Sequence, residues 1–543
     1  MKMMRYFSTK PLVHILLVVS VCLSFFFVTY KSNVSPPCFN SDEAAFAYNA
    51  YSILQTGADE YGNVLPLRLK SFGDYKMPLY SYLSIPFIAT LGLNELGARA
   101  LNIFVASLFP LVIYLTVKEL FEKEEIGVVA ALLISVSLGK GIMERQAHEG
   151  ILAAFLITLS TFFFIRFFKK ETYLNAAFFV ISLLLALFSY QSSRIFAAFF
   201  FIYALVYFFI QRKAGAARKF FIIFLIIGIG LFAITDIVYK PARVQNLFLT
   251  NTAGFTLRIN ELIGEGGSRI AYNKLSEGIK EFVGNELMYY SPQFLAIDGD
   301  SNYRFGFPGM GPMTIVEYIF IFIGFYFLFR NKDRWRYLLL GLLIVSPITA
   351  ALSWNGLSLT RAIFLIVVTL IIASYGLYYF TTQFRKIKYF YYIIAGLVFI
   401  EAVCLFYSWD FYLNHYPKRA IVTQAWECGY SQLGDYIKQN YNKFDTFYIT
   451  QKNGEPYIFI LFYLKYPPQL YQKQASLSGP DQFGFGQVEK FDKFNFSVPS
   501  SAFQQKHVAI IGYPDDFNNV PIDKTKLKKI VVNNLPIFWI YEK

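Results

Sequence analysis

Charge is scarce in this 543-residue chain. Asp, Glu, Lys and Arg together make up 16% of it, against about 25% in an average soluble domain, while 55% of the residues are apolar. That balance excludes a disordered protein and argues against an ordinary cytosolic enzyme. Histidine is scarcer still, with four in all, and His14 falls inside a long apolar run, so a histidine-rich metal centre is excluded. The four cysteines include no CxxC pair, which removes both a zinc ribbon and a disulfide scaffold. Cys22 and Cys404 lie in apolar runs; one bridge between Cys38 and Cys428 is left open, because sequence does not place their backbones. No Walker glycine loop and no dinucleotide fingerprint occurs, so a nucleotide site is not indicated.

What is abundant is apolar sequence in runs near 20 residues. The first, Pro11 to Tyr30, carries no charge and ends in no small-residue cleavage site. At about 1.5 Å per residue it crosses a ~30 Å hydrocarbon core, so it reads as a retained helix rather than a signal peptide. Further runs fall at 97–117, 126–143, 150–168, 174–190, 195–211, 220–238, 313–329, 337–352, 362–380 and 389–409, which makes about 11 transmembrane helices. Lys plus Arg exceed Asp plus Glu by 14, 50 against 36. In a soluble chain that excess would suggest nucleic acid, but in a polytopic membrane protein it belongs to the cytoplasmic loops. Alternate loops carry Lys169 and Lys170; Arg212, Lys213, Arg218 and Lys219; Arg330, Lys332, Arg334 and Arg336; and Arg385, Lys386 and Lys388. Placing these inside together with Lys2, Arg5 and Lys10 predicts a multi-pass protein of the plasma (inner) membrane with its N-terminus cytoplasmic. The mixed loop 118–125 is the exception.

An odd span count puts the C-terminus outside. The expected organisation is a transmembrane domain over 1–409, with outer loops 31–96 and 239–312, and a small extracytoplasmic α/β domain over 410–543. In the latter, a helix from about Gly429 to Tyr441 precedes β-rich runs such as Phe447 to Thr450 and His507 to Gly512, separated by turn signals such as Asn453-Gly454. Inner loops are short and outer ones long, so any site opens to the outer leaflet.

The outer loops hold the residues with chemistry. Ser41-Asp42-Glu43 starts a helix that Ser41 can cap, with the apolar spacing of a helix lying on the membrane surface. The two acids are equally a capped first turn or a carboxylate whose basicity partial desolvation raises. Asp74-Tyr75-Lys76-Met77-Pro78 offers a lysine that either binds a lipid phosphate or anchors the interface. Glu144-Arg145-Gln146-Ala147-His148-Glu149 puts four ionisable residues at a membrane edge, either as an Arg145 to Glu149 i,i+4 pair or as a functional turn. Arg194 and Arg361 sit at outer helix ends where several arginines together suggest an anion. The stretch 291–309, with Asp298, Asp300, Asn302 and Arg304, reads first as an ordered turn cluster, with a sugar or phosphate contact as its functional alternative.

These motifs together with the topology resemble the GT-C membrane glycosyltransferases, and most closely bacterial relatives of dolichyl-phosphate-mannose:protein mannosyltransferases and of lipid A aminoarabinose transferases. The resemblance implies a GT-C fold over roughly 1–380. It also implies transfer of a monosaccharide, with inversion, from a polyprenyl-phosphate carrier to a lipid, glycan or protein acceptor on the non-cytoplasmic face. By that resemblance Asp42 is the general base, Glu43 its neighbour in the Asp-Glu motif and Glu149 the second-loop acid. Lys76, Arg145, Arg194 and Arg361 hold the donor phosphate, and Asp74, Tyr75 and Arg304 belong to the substrate loops. The family's usual Lys-Pro-Pro is here Lys76-Met77-Pro78, and its second-loop acid is commonly Asp. No cofactor is assigned, a divalent metal is left open, and the partners are the lipid-linked donor, the acceptor and membrane lipids, with no nucleic acid. The rival reading is a transporter or flippase of an amphipathic substrate, for which ionisable residues near the bilayer midplane would speak; Asp236 and Glu317 fall instead near outer ends of spans. A receptor or scaffold would leave the loop acids unexplained.

Overall fold

The computed structural model describes residues 10–72, 74–211, 215–239, 248–479 and 487–543. In chain order the helices are α1 (Lys10–Thr29), α2 (Ser41–Thr56), α3 (Leu79–Leu91), α4 (Glu95–Phe121), α5 (Glu124–Val136), α6 (Leu138–Glu144), α7 (Glu149–Lys169), α8 (Tyr173–Ser189), α9 (Ser193–Gln211) and α10 (Ala216–Tyr239). There follow α11 (Ala253–Gly264), α12 (Lys274–Met288), α13 (Ile315–Arg330), α14 (Arg336–Ala351), α15 (Leu359–Phe384) and α16 (Phe390–Asp410), then the short α17 (Ala420–Ala425), α18 (Tyr430–Asn440), α19 (Pro456–Tyr463) and α20 (Pro468–Gln474). The chain clusters into two compact units: Met1–Ser32 with residues from Asn102 to Tyr412, and Asn33–Leu101 with Leu413–Lys543.

The first unit is helical throughout its membrane part, and a helix falls on each of the eleven apolar runs. Among the described residues seven helices are long and apolar enough to cross a bilayer, or eight if the bent pair α5 and α6 is one span. The 126–143 run, expected as one span, breaks at Ser137 with a bend of 57°. Gly139 there bonds the Pro312 carbonyl at 3.1 Å, and the Lys140 ammonium meets the Glu144 carboxylate at 2.6 Å, both buried. The kink thus has a cause in a backbone N–H that bonds outside its helix, and the buried i,i+4 pair holds the turn of α6 that follows. Helices α8 (17 residues) and α13 and α14 (16 each) are shorter than a full crossing. Arg212, Lys213, Lys2 and Arg5 of the charge pattern lie outside the described residues.

Packing in this unit follows small-residue and aromatic rules. A Cβ at Gly324 would stand 2.1 Å from the Ile372 carbonyl, and one at Gly376 2.4 Å from the Phe320 carbonyl, so α13 and α15 touch backbone to backbone because both positions lack side chains. Around Phe221, Phe167 stacks at 4.6 Å and Phe179 at 5.1 Å.

The second unit contains a hairpin and a seven-stranded sheet. The hairpin pairs β1 (Leu69–Ser71) with β2 (Asp74–Lys76) and sets Leu69 opposite Lys76. The sheet comprises β3 (Thr446–Ile449), β4 (Ser476–Leu477), β5 (Val488–Phe491), β6 (Phe494–Asn495), β7 (Val508–Gly512), β8 (Lys528–Val532) and β9 (Leu535–Glu542), in the order β4-β5-β6-β3-β7-β9-β8. Strand β3 is parallel to both neighbours and the other pairs are antiparallel. The uninterrupted apolar run Val508 to Ile511 is buried at every residue, as a central strand covered on both faces requires. The sheet and the preceding α18 coincide with the helix and strands expected for the C-terminal segment.

Helix α2 corrects one expectation. Instead of lying on a membrane surface it is buried on nearly every side, from Glu43 to Ala50 without interruption, packed by α3 and α19. Alanines at 44, 45, 47 and 50 let neighbours approach closely from several sides.

Candidate active site

The start of α2 sets the geometry. Asn40, not Ser41, is the N-cap: its side chain accepts from the Glu43 N–H at 3.1 Å while the Glu43 carboxylate accepts from the Asn40 N–H at 3.2 Å, a reciprocal capping box. Glu43 is completely buried, and Arg99 of α4 donates to it twice, at 2.8 and 3.0 Å. A third Arg99 N–H reaches the Cys38 carbonyl at 2.9 Å. Ser41, pushed one position into the helix, donates from its N–H and hydroxyl to Glu427 at 2.9 and 2.8 Å. Asn40, Arg99 and Glu427 were not candidates from sequence; only the Asn-x-x-Glu spacing signals the first, and nothing local signals the other two. Cys38 and Cys428 form a disulfide beside them.

With Glu43 committed to the cap and to Arg99, Asp42 is the acid left at a surface. Its side chain is 42% exposed, whereas that of Lys76 is 5% exposed, and the two meet at 2.6 Å. Hairpin β1-β2 delivers the lysine, and the Phe72 and Phe46 rings flank its ammonium at 4.3 and 5.1 Å to the centroids. Carboxylate and ring faces together stabilise a charge held away from water. Tyr75 precedes it in β2, opposite Lys70; the Asp74 side chain lies outside the described part.

Behind this pair sits a buried acid. The Glu60 N–H bonds Asn49 Oδ1 at 3.0 Å, Tyr457 donates to Glu60 Oε1 at 3.2 Å, and Tyr61 and Tyr457 share a bond of 3.3 Å. Among the described residues no hydrogen-bond partner reaches the buried Glu60 Oε2. Burial pushes the Glu60 carboxyl well above the usual carboxylate range, the neighbouring Asp59 adds to the rise, and the Tyr457 bond and the Lys76 charge oppose it.

The remaining candidates belong to the first unit. Arg145 is buried, with its guanidinium donating to the carbonyls of Phe27 and Tyr30, the latter at 2.7 Å, so it closes the C-terminal end of α1. His148 caps α7 by accepting the Gly150 N–H at 2.9 Å, and Glu149 is the first residue of that helix, half-buried. Arg194 pairs with Asp236 at 3.0 Å, and Arg361 donates to Ser353 Oγ at 3.1 Å. The turn cluster is an ordered loop: Asp300 accepts from the Leu359 and Asn302 N–H groups at 2.6 and 2.8 Å, and Arg304 lies against Phe305. Of the four cations expected at a phosphate, Lys76 is the one the second unit brings against Asp42. A carboxylate of the first unit that the sequence did not single out is Glu401, inside α16, which accepts from the Thr314 hydroxyl at 2.6 Å, while the Thr314 N–H bonds Glu317 at 2.9 Å. Among the described residues no three His, Cys, Asp or Glu side chains are grouped to hold a metal ion.

Residues 58–212 match the family model of dolichyl-phosphate-mannose-protein mannosyltransferase. No curated protein matches the chain in sequence. Among solved structures, ArnT from Cupriavidus metallidurans bound to undecaprenyl phosphate aligns with a TM-score of 0.58 at 10% identity, over 98% of each chain. The Archaeoglobus fulgidus oligosaccharyltransferase in complex with Zn and sulfate aligns at 0.53 and 12% identity, over 92% of this chain and 68% of that one. Across its structures the chain spans 63–69% of that enzyme's length. The protein is a multi-pass membrane protein with the GT-C fold of ArnT, and the stretch 58–212 resembles the protein mannosyltransferases.

Proposed function

We propose that this protein is a GT-C glycosyltransferase that takes one hexosyl or pentosyl group from a polyprenyl-phosphate carrier and passes it, with inversion, to an acceptor hydroxyl outside the inner membrane. The observation that carries this reading is the contact of a half-exposed Asp42 with a buried, ring-flanked Lys76. A lipid-phosphate sugar brings its own leaving group, so the enzyme needs one base and one cation. A donor phosphate arriving at Lys76 competes with Asp42 for the ammonium. Losing that neighbour raises the proton affinity of Asp42 as the acceptor hydroxyl approaches. Asp42 then takes the hydroxyl proton while Lys76 stabilises the departing phosphate. Glu43 and Arg99 fix the start of α2.

The Cys38 to Cys428 bridge favours an oxidising compartment for the second unit, hence a cytoplasmic N-terminus, a membrane domain over 1–409 and an outer domain over 410–543. One observation favours the transporter reading: charged side chains within spans, Lys140 with Glu144 and Glu401 in α16. Incubating the purified chain in nanodiscs with a panel of radiolabelled polyprenyl-phosphate monosaccharides separates the two. Release of the free lipid phosphate with transfer of the label supports the transferase. Movement of intact labelled lipid between leaflets, with no cleavage, overturns it.

A further inference from the structure

The second unit contains a cavity that the proposed chemistry does not use. It measures about 530 Å³ and lies where the end of α18 meets the stretch leading into α20, within the range of about 300–1,000 Å³ usual for small-molecule sites. We infer that this cavity binds a neutral glycan, so that the acceptor is a carbohydrate; the inference rests on the transferase reading above and names its acceptor class.

Three features of the lining point to that ligand. Its floor combines two tyrosine rings, Tyr441 and Tyr466, with the apolar Leu470, whose side chain is 46% exposed. The C–H face of a pyranose stacks on such surfaces because both are apolar and the ring's negative face attracts the polarised C–H groups. Around the floor stand Asn442 and Gln474, whose amides offer adjacent hydroxyls a donor and an acceptor at once, and Asp492, whose carboxylate accepts from them.

The groups are also held in place. Tyr466 donates to Gln474 Oε1 at 2.9 Å, which leaves the amide N–H groups to donate. Tyr441 donates to Asp492, and the Lys493 ammonium sits 4.8 Å from the Tyr441 ring centroid. A preorganised wall loses less entropy on binding.

The third feature is charge. Of the lining side chains, Lys438 lies 3.5 Å from Asp435 on its own helix and Asp492 is the carboxylate, while the nearby Lys493 donates to the Tyr441 and Phe444 carbonyls at 3.1 and 3.2 Å. Among the described lining side chains one cation stands with one carboxylate, a balance suited to a neutral ligand rather than to a phosphate or a uronic acid. The wall is also tied to α2: Tyr48, six residues beyond Asp42, donates to the Tyr466 carbonyl at 2.9 Å.

The test is saturation-transfer NMR and affinity measurement on the full chain in nanodiscs. The probes are neutral linear hexose oligomers, with a phosphorylated oligomer and an unglycosylated peptide as separate arms. Neutral oligomers should bind, and Tyr441→Ala and Asp492→Ala should each weaken binding about tenfold or more and raise the acceptor KM in transfer. If either truncation fails to fold, Leu470→Trp fills the cavity from its exposed wall and must also weaken binding. Absence of oligosaccharide binding, binding that all three variants leave unchanged, or a preference for the peptide or the phosphorylated oligomer would overturn the assignment. Neutral oligomer binding that the variants abolish, in a protein that never cleaves a polyprenyl-phosphate sugar, would keep the cavity and remove the transferase reading instead.

Discussion

Two helix starts in this molecule are written in the same local code and end up differently equipped. At α2 a polar cap is followed by Asp42 and Glu43; at α7 His148 caps and Glu149 follows. Both place acids where the helix dipole favours them. At α2, however, three partners arrive from far along the chain: Lys76, Arg99 and Glu427, at separations of 34, 56 and 386 residues. They divide the labour between neighbouring acids, so that Glu43 holds the helix and Asp42 faces outward with a cation at contact distance. The lesson is that a capping motif locates carboxylates, while the tertiary partners decide which one is available for chemistry.

The largest expected effect tests that division directly. Asp42→Asn keeps the helix and loses the proton acceptor, so turnover should fall by about 10²- to 10⁴-fold at unchanged thermal stability. Glu43→Gln should show the opposite: it leaves Arg99 buried without its counter-charge, costing roughly 3–5 kcal/mol of stability, read as a lower unfolding midpoint. A loss of turnover with Glu149→Gln equal to that of Asp42→Asn would break the contrast between the two helix starts, and a stable, inactive Glu43→Gln would move the base to Glu43.

Much of this was legible in the sequence, and the reasons are physical. Helices fall on the eleven apolar runs because an apolar segment in a membrane must satisfy its backbone within itself, although among the described residues seven of them, or eight with the bent pair, are long enough to cross; the strands from Phe447 and His507 announce themselves by β-branched and aromatic runs. Asp42 and Lys76 stand out because ionisable residues beside apolar spans need a reason. The break at Ser137 was invisible, since its cause is a carbonyl at Pro312, far along the chain, rather than a proline. The burial of α2 was equally hidden: its spacing suits a surface helix, and only the arrival of α3 and α19 covers its other side.

The disulfide sharpens the comparison from another direction. Cys38 lies two residues before the Asn40 cap, and the bridge closes a loop of 390 residues onto the segment that carries Glu427. Removing a native bridge typically costs about 2–5 kcal/mol. Cys38→Ser with Cys428→Ser should lower the unfolding midpoint accordingly, and the reductant sensitivity of the wild type should vanish in the double variant. A midpoint unmoved by reductant would mean that Arg99 and Glu427 hold the start of α2 without covalent help.

A smaller effect separates binding from catalysis within the same pair. Lys76→Ala removes a charge-assisted bond to the donor phosphate, so donor affinity should weaken by about 1.5–3 kcal/mol. Asp42→Asn should bind donor as well as the wild type or more tightly, because it removes a like charge. Equal donor affinities for Lys76→Ala and wild type, measured by titration in nanodiscs, would reduce the lysine to an anchor of the β1-β2 hairpin.

The subtlest prediction concerns Glu60, the acid that lies behind this pair. Burial and Asp59 raise its carboxyl pKa, as does Glu455, while Tyr457 and Lys76 oppose the rise, and the net direction is well above the ordinary value. The folded protein therefore keeps a proton that the unfolded chain releases near pH 4.3. In that interval the native state binds more protons than the unfolded state, so stability is fully present below the ordinary carboxylate range. It declines as pH rises toward the folded pKa and levels off above it. Glu60→Gln imitates the protonated acid at every pH. The variant should match the wild type near pH 4 to 5 and become progressively the more stable of the two toward pH 8. Asp59, raised by burial as well, leaves a residual slope in both proteins. Unfolding midpoints measured across pH 5 to 9 in nanodiscs give the comparison, and parallel curves for variant and wild type would mean that Glu60 is already ionised in the folded protein, with Lys76 shared between it and Asp42.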